Sequence, residues 1–414
     1  MVQDSFIYTE DDGMEEASCY KPGGFCPVQL GERIGPQTSP RRYRLLAKLG
    51  AGLCSTVWLA RDLTAHLIVA VKLVAASETP VTCEAAILHQ LRAPKGAPPP
   101  PIVQIIAAFM ITSANGVHQV LVMEPVVLLF PFLCRNKCQG KMQSLVRQAL
   151  EGLAFMHARG IAHGDLHAYN IGLALPGLDD IDEVALLQND GAPEVIPLIH
   201  EDPDRDPASF PPYLCREFRA FDTVLAKHCP SLVPRDLQLR ILDLGNAYFT
   251  DSGKSPRSTT PVGYAAPEVS FVRIALQDKN APWDSQADIW SAACLIYSLA
   301  AFTPLFRHHA VLGLLSEIAA LCGGAPEEWV QHLPKDLEFT ADRADTLWVE
   351  RTERLNTNGM VGEDADGLVR LLRRMLIIDP KARPTAAELL QDAYLVAPAA
   401  VGQPQELPSP FLAA

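Results

Sequence analysis

The pattern of apolar and polar positions changes period near residue 124, and that change divides the chain into two kinds of structure. From Tyr43 to about Met123 the runs "YRLLAKLG", "STVWLARD", "LIVAVKLV", "PIVQIIAAFMI" and "HQVLVMEP" are short, rich in β-branched residues and separated by turn residues, which predicts strands. One helix interrupts them: Ile87, Leu88 and Leu91 share a face with Glu84, Thr79 is placed to cap it, and Pro80 fits its first turn. After Glu124 and Pro125, "MQSLVRQALEGLAFMHARG", "ADIWSAACLIYSLAAF", "LLSEIAALC", "GLVRLLRRMLI" and "TAAELLQDAYL" repeat apolar residues three or four apart. The expected fold class is α+β: a small, mostly antiparallel sheet lobe with one main helix, at 41–124, and a larger, mostly helical lobe, at 125–397.

Three segments fall outside this pattern. Residues 1–40 read as a flexible leader that becomes ordered near "YKPGGFCPVQLGERI", and 398–414 as a tail. Residues from about 174 to 238 include "DDIDEVALLQNDGAPEVIPLIHEDPDRDPASFPPY", rich in Asp and Pro with no lasting period, and read as an insertion or a long functional loop. No internal repeat is found, and the one low-complexity tract is "APPPP".

Composition narrows the class. With 414 residues, 48% of them hydrophobic, the chain can bury one large core or two adjoining ones, which excludes a disordered or fibrous protein. The balance of 35 Lys and Arg against 48 Asp and Glu disfavours nonspecific nucleic-acid binding and suits a basic partner. Ten cysteines without a CxxC pair, one of them inside the apolar run around Cys294, point to a reducing compartment and to no zinc site. The acidic start "MVQDSFIYTEDDGMEE" is unlike a signal peptide. The longest apolar run, "VLVMEPVVLLFPFLC", is short for a membrane span and carries Glu124, so a soluble, intracellular protein is expected.

Several residues could carry chemistry. "LGAGLCSTVWLARD" places Gly50 and Gly52 in a hairpin, where missing side chains let backbone N–H groups approach phosphates; a plain turn gives the same pattern. Lys72 lies in a half-buried strand, where an ammonium needs a partner that Glu84 could supply; an exposed edge is the alternative. "IAHGDLHAYNIGL" holds Asp165 and, five residues later, Asn170. "ILDLGNAYF" ends an apolar strand in Asp243 before Leu244 and Gly245, which suits a divalent metal carried by a nucleotide, or else a turn. The succession of all these features, each on the element its chemistry needs, argues against coincidence.

With these residues in order, the chain resembles the eukaryotic protein kinases, whose Gly-rich loop, strand lysine, catalytic loop, metal aspartate and APE element would here be Gly50 to Ser55, Lys72, Asp165 with Asn170, Asp243, and "AAPE" ending in Glu268. The resemblance runs from about residue 19 to 397 and includes "ADIWSAACLIYSLA", with Asp288 at the start of a buried helix, and "DPKARPTAAELL", whose Arg383 would pair with Glu268. Within the superfamily it is similar to the SR-protein-specific kinases in their shorter fungal-type form, through "YKPGGFCPVQLGERI", "STVWLARD", "DLGNA" and "ADIWSAAC".

The resemblance implies a two-lobed serine/threonine kinase using ATP and Mg²⁺, acting on basic, Arg-Ser-rich proteins of mRNA processing, monomeric, without direct nucleic-acid or membrane contact, in cytoplasm and nucleus. Asp165, Lys72 and His167 would be catalytic, and Asn170 and Asp243 would hold metal. Leu49, Gly50, Ala51, Gly52, Ser55, Val57, Ala70, Lys72, Glu84, Met123, Glu124 and Val126 would bind nucleotide, with Met123 at the back of the pocket and the hinge meeting adenine through its backbone.

Some positions depart from the family pattern. Ser55 replaces the third loop glycine, and His167 replaces the catalytic-loop lysine. Gly164 replaces an arginine that normally meets an activation-loop phosphate, which implies activity without such phosphorylation, so alanine at Ser255, Ser258, Thr259 and Thr260 is expected to leave activity intact. Pro261, Val262 and Gly263 lack the basic and hydroxyl groups of the SR-kinase loop. Two alternatives stay open: a pseudokinase that binds nucleotide or a partner, suggested by His167, and a small-molecule phosphotransferase, whose loop also reads HGDLHxxN. His163 and Trp290 are expected to be structural.

Overall fold

The computed structural model describes residues 6–7, 14–94, 96–136, 142–175, 178–180, 183–188, 193–202, 204–218, 237–252, 259–275, 283–307, 311–323 and 343–396. The chain forms two compact units, Met1–Phe132 with Tyr169–Tyr248, and Leu133–Ala168 with Phe249–Ala414.

The first unit is built on strands β1 (Arg33–Ile34), β2 (Tyr43–Ala51), β3 (Ser55–Asp62), β4 (Ile68–Val74), β5 (Ile105–Ser113) and β6 (Gly116–Met123). They form an antiparallel sheet in the order β1-β2-β3-β4-β6-β5. All seven residues of β4 are buried, which is why "IVAVKLV" reads as a continuous apolar run rather than an alternation. Tyr43, Leu45, Trp58, Val69, Val71, Val120 and Val122 make one core cluster, each side chain contributing about 1.5–3 kcal/mol by leaving water. Short strands β7 (Val126–Leu128), β8 (Ile171–Ala174) and β11 (Leu239–Ile241) pair in the order β11-β8-β7, and β9 (Val195–Pro197) pairs with β10 (Tyr213–Cys215).

Helix α1 spans Glu84–Gln90 and buries Glu84, Ile87 and Leu88. Its expected start is corrected: Cys83, not Thr79, is the N-cap, and it makes no side-chain cap. The Thr79 hydroxyl instead donates to the Ala75 carbonyl at 3.1 Å and accepts from the Gln119 N–H at 2.9 Å. A good capping residue has been taken by a tighter local turn and a neighbouring strand.

Parts of the leader and of the aperiodic segment are packed. Ala17, Tyr20 and Phe25 share a buried cluster with Ala75, Leu198 and Leu214. Glu15 pairs with buried Lys48 on β2 and accepts from the Tyr20 hydroxyl at 2.6 Å. Asn115 Nδ2 donates to the carbonyls of Phe25 and Ser209, at 2.8 and 2.7 Å. The short helix Glu183–Gln188 places Glu183 against Arg44 and Arg61. No period marks these stretches because each apolar residue meets a different neighbour.

The second unit holds helices α2 (Met142–His157), α3 (Pro267–Ala275), α4 (Ser285–Ala301), α5 (Val311–Cys322), α6 (Ala344–Thr357) and α7 (Glu363–Met375). Helix α4 is buried on every side from Ala287 to Ala301, and the Asp284 side chain caps it by accepting from Gln286 N–H at 2.9 Å. In α7 the acidic residues Glu363, Asp364 and Asp366 sit in the first turn and Arg373 and Arg374 in the last, which complements the helix dipole. The run "TAAELLQDAYL" is two short helices, not one: α8 (Ala386–Leu389) with a Thr385–Glu388 capping box, and α9 (Ala393–Val396). Asp392 directly precedes the second and accepts from Tyr394 N–H at 2.9 Å. Arg383 pairs with Glu268 through two bonds, of 3.0 and 3.1 Å. Among the described residues no helix is long and apolar enough to cross a membrane.

Candidate active site

In the first unit the strand register gathers the expected nucleotide residues. Gly50 is opposite Val57 and Val57 opposite Lys72. Ala70, two residues before Lys72, is opposite Met123. With side chains alternating along each strand, Val57, Ala70, Lys72 and Met123 therefore share one face of the sheet. Leu49, Gly50 and Ala51 close β2, Ser55 opens β3, and the Gly52 N–H donates to the Ser55 carbonyl at 2.9 Å. A Cβ added at Gly50 would lie 3.4 Å from Glu217 Oε1, so that carboxylate sits over the glycine. Nothing in the sequence singled out Glu217.

On that face Lys72 Nζ lies 2.8 Å from both carboxylate oxygens of Glu84 and 2.8 Å from Asp243 Oδ1. Burial works against the ammonium, but the Asp243 and Glu84 carboxylates outweigh it and hold the lysine charged well above its usual range. The ion pair expected between Lys72 and Glu84 is thus present, and Asp243 joins it. Asp243 has φ +53°, accepts from the Gly245 N–H at 3.3 Å, and leaves 47% of its side chain exposed.

The carbonyl of Asn170 accepts the Leu242 N–H at 2.9 Å, which sets Asn170 beside the residue that precedes Asp243. A carboxylate and an amide oxygen flanking the paired strands β8 and β11 are hard donors of the kind magnesium takes, and Asp243 and Asn170 would be the residues to hold it. At the hinge, Glu124 N–H is bound to the Gln104 carbonyl at 3.1 Å, while its side chain accepts from Arg240 at 2.7 Å. Met123 is buried and Val126 half-buried.

In the second unit the loop carrying Asp165 is anchored by a buried carboxylate. Asp288 Oδ2 accepts the His163 N–H at 2.8 Å, its Oδ1 accepts the Gly164 N–H at 2.9 Å, and His157 Nε2 lies 3.0 Å away. Burial pushes the Asp288 carboxyl up, but hydrogen bonding and charge from His157, with His163 and the Gly164 N–H, pull it below the usual range. The Asp165 N–H donates to His163 Nδ1 at 3.1 Å, so His163, fully buried, is structural as expected.

His167 Nε2 is 3.9 Å from Asp165 Oδ1, and its ring centroid is 6.1 Å from that of Tyr264. The Thr259 hydroxyl donates to Asp165 Oδ2 at 3.3 Å and the Thr260 hydroxyl to the Gly164 carbonyl at 2.6 Å. Thr259 and Thr260 thus bond directly to the loop that carries Asp165, while Ser255 and Ser258 lie outside the described residues.

The first unit thus carries a glycine hairpin and a charged lysine clamped by two carboxylates, and the second an aspartate on its own anchored loop. The protein kinase domain model matches residues 43–175 and 231–395, and the chain belongs to the protein kinase family. A serine/threonine protein kinase of Aspergillus fumigatus is 28% identical over 413 residues, covering 96% of this chain and 93% of that relative. The serine/threonine-protein kinase SRPK of Physarum polycephalum is 25% identical over 420 residues, covering 94% and 92%. SRSF protein kinase 3 of Mus musculus is 34% identical over 177 residues, covering 39% of this chain and 30% of that one. A solved kinase domain superposes with a TM-score of 0.57 at 19% identity, covering 89% of this chain and 98% of that one, which supports the two-lobed kinase fold. The chain is an ATP-dependent serine/threonine protein kinase, and the small-molecule phosphotransferase alternative is set aside.

Two predictions follow from the buried charges. Lys72→Met leaves the Glu84 carboxylate buried without its ammonium and lowers stability by about 3–5 kcal/mol in chemical denaturation. Adding Glu84→Gln restores most of that stability but none of the phosphoryl transfer. For Asp288, a carboxyl lowered on folding stabilises the fold above the unfolded value near pH 4 and loses that contribution as pH falls through the folded value. Asp288→Asn therefore lowers stability at pH 7 and flattens its decline below about pH 4, as followed by thermal melting.

Proposed function

We propose that this kinase phosphorylates serine in basic, Arg-Ser-rich proteins, with ATP and magnesium as its cosubstrate and metal. The observation that carries the reading is the similarity to the Physarum SRPK kinase over almost the whole of both chains. The stretches "DLGNA" and "YKPGGFCPVQLGERI" and the formal charge of −13 support it, because an acidic surface attracts an arginine-rich chain. A role in mRNA processing, a monomeric state, action without direct nucleic-acid contact, and a distribution between cytoplasm and nucleus belong to the same proposal.

Phosphoryl transfer asks for positioning and charge neutralisation more than for covalent help. Lys72, kept charged by Glu84, grips the α- and β-phosphates. The backbone from Leu49 to Gly52 covers the phosphates, while Val57, Ala70 and Met123 give adenine an apolar bed and the hinge residues Glu124 and Val126 meet it through backbone groups. Asp243 and Asn170 would hold magnesium, which when bound would neutralise charge on the transferred group. Asp165 orients the serine hydroxyl and accepts its proton, with His167 beside it.

The test is transfer of labelled γ-phosphate to an Arg-Ser repeat peptide, beside a Lys-Ser control and the Asp165→Ala variant. The expected outcome is labelling of the Arg-Ser peptide alone, with the variant slower by about 10²–10⁴-fold. Equal labelling of both peptides contradicts the Arg-Ser preference, and full activity in the variant contradicts the role of Asp165.

A further inference from the structure

Gly164, the residue before Asp165, is held on three sides. Its N–H donates to Asp288 Oδ1 at 2.9 Å and its carbonyl accepts the Thr260 hydroxyl at 2.6 Å. Its third side is covered by the Trp283 indole: a Cβ added at Gly164 would fall onto the ring, 2.6 Å from Cζ2 and 2.9 Å from Cζ3. The backbone there has φ +75°, a torsion that suits glycine and few other residues.

Trp283 is itself fixed. It is 5% exposed and directly precedes Asp284, the cap of α4. The start of α4 thus grips one glycine twice, through the Asp288 carboxylate and the Trp283 ring. A ring packed against the Gly164 backbone leaves the peptide little room to swing, and interiors transmit such constraints because they are close-packed. The next peptide carries the Asp165 N–H, bound to His163 Nδ1, so the Gly164 torsion sets the direction in which the Asp165 side chain leaves the loop.

We propose that Trp283 is a positioning residue for Asp165, acting through Gly164: its indole fills the space that a side chain at 164 would need and presets the loop. The inference rests on Asp165 being the group that meets the substrate hydroxyl.

The test uses the full chain with ATP and whichever peptide the native protein labels, comparing Trp283→Leu, Trp283→Phe, Gly164→Ala and the Gly164→Ala/Trp283→Leu double variant, each with a melting curve. Trp283→Leu is expected to lower kcat by about 100-fold, the scale of a misplacement near 1 Å, with the KM for ATP within about twofold of native. Trp283→Phe should recover most of kcat. The double variant should turn over faster than Gly164→Ala alone, since leucine frees the space that the added Cβ needs.

A folded Trp283→Leu variant with native kcat overturns the proposal, as does a double variant whose losses simply multiply. Should Trp283→Leu fail to fold, Trp283→Phe alone and with Gly164→Ala carry the same comparison. If Asp165→Ala is inactive while the Trp283 variants keep native kcat, the positioning role alone is wrong. If Asp165→Ala keeps its activity, the reading of Asp165 fails first.

Discussion

A buried ammonium is the constraint around which the first unit is arranged. Lys72 lies on a strand buried at every position, and an unpaired charge there would cost several kcal/mol. The fold meets that cost with two carboxylates from distant points in the sequence, Glu84 on α1 and Asp243 at the end of the strand after the aperiodic segment. Bringing three such segments together fixes the seat of α1 against the sheet and the place where the Asp243 turn begins. Asp243 remains half-exposed while bonded to Lys72.

The second unit solves a similar problem with the opposite charge. Asp288 is buried at the start of an apolar helix and is satisfied by two backbone N–H groups and His157, all from the segment leading to Asp165. A carboxylate that must be satisfied inside a core makes a rigid post, and the loop that carries Asp165 is hung from it. Arg383 does the same for the APE glutamate, with its guanidinium inside and Glu268 as its partner. In both units polar groups that are costly to bury specify where loops go, while apolar burial supplies the stability.

Much of this was legible in the sequence where period and chemistry agree. Strands β2 to β6 follow the short β-branched runs, and α2, α4 and α7 follow the three-four spacing. Lys72 and Glu84 could be paired because a buried lysine needs a carboxylate. What was less legible depends on tertiary context. Thr79 has the chemistry of a cap but serves a turn and a neighbouring strand. Tyr20, Leu198 and Leu214 lack any period because they fill one cluster from separate segments. Asp288 carried a usable signal, a carboxylate embedded in an apolar helix, which asks where its hydrogen bonds go. Glu217, over Gly50, carried none, since only the folded chain brings its segment to the hairpin.

The central claim is that the Lys72–Glu84–Asp243 cluster is a phosphate site completed by a metal at Asp243 and Asn170. Calorimetric titration of ATP into the full chain, with magnesium absent and then saturating, tests it most directly. The account predicts that magnesium tightens ATP binding by about tenfold or more, because the ion then carries charge that Lys72 alone cannot balance. An ATP affinity indifferent to magnesium would contradict it.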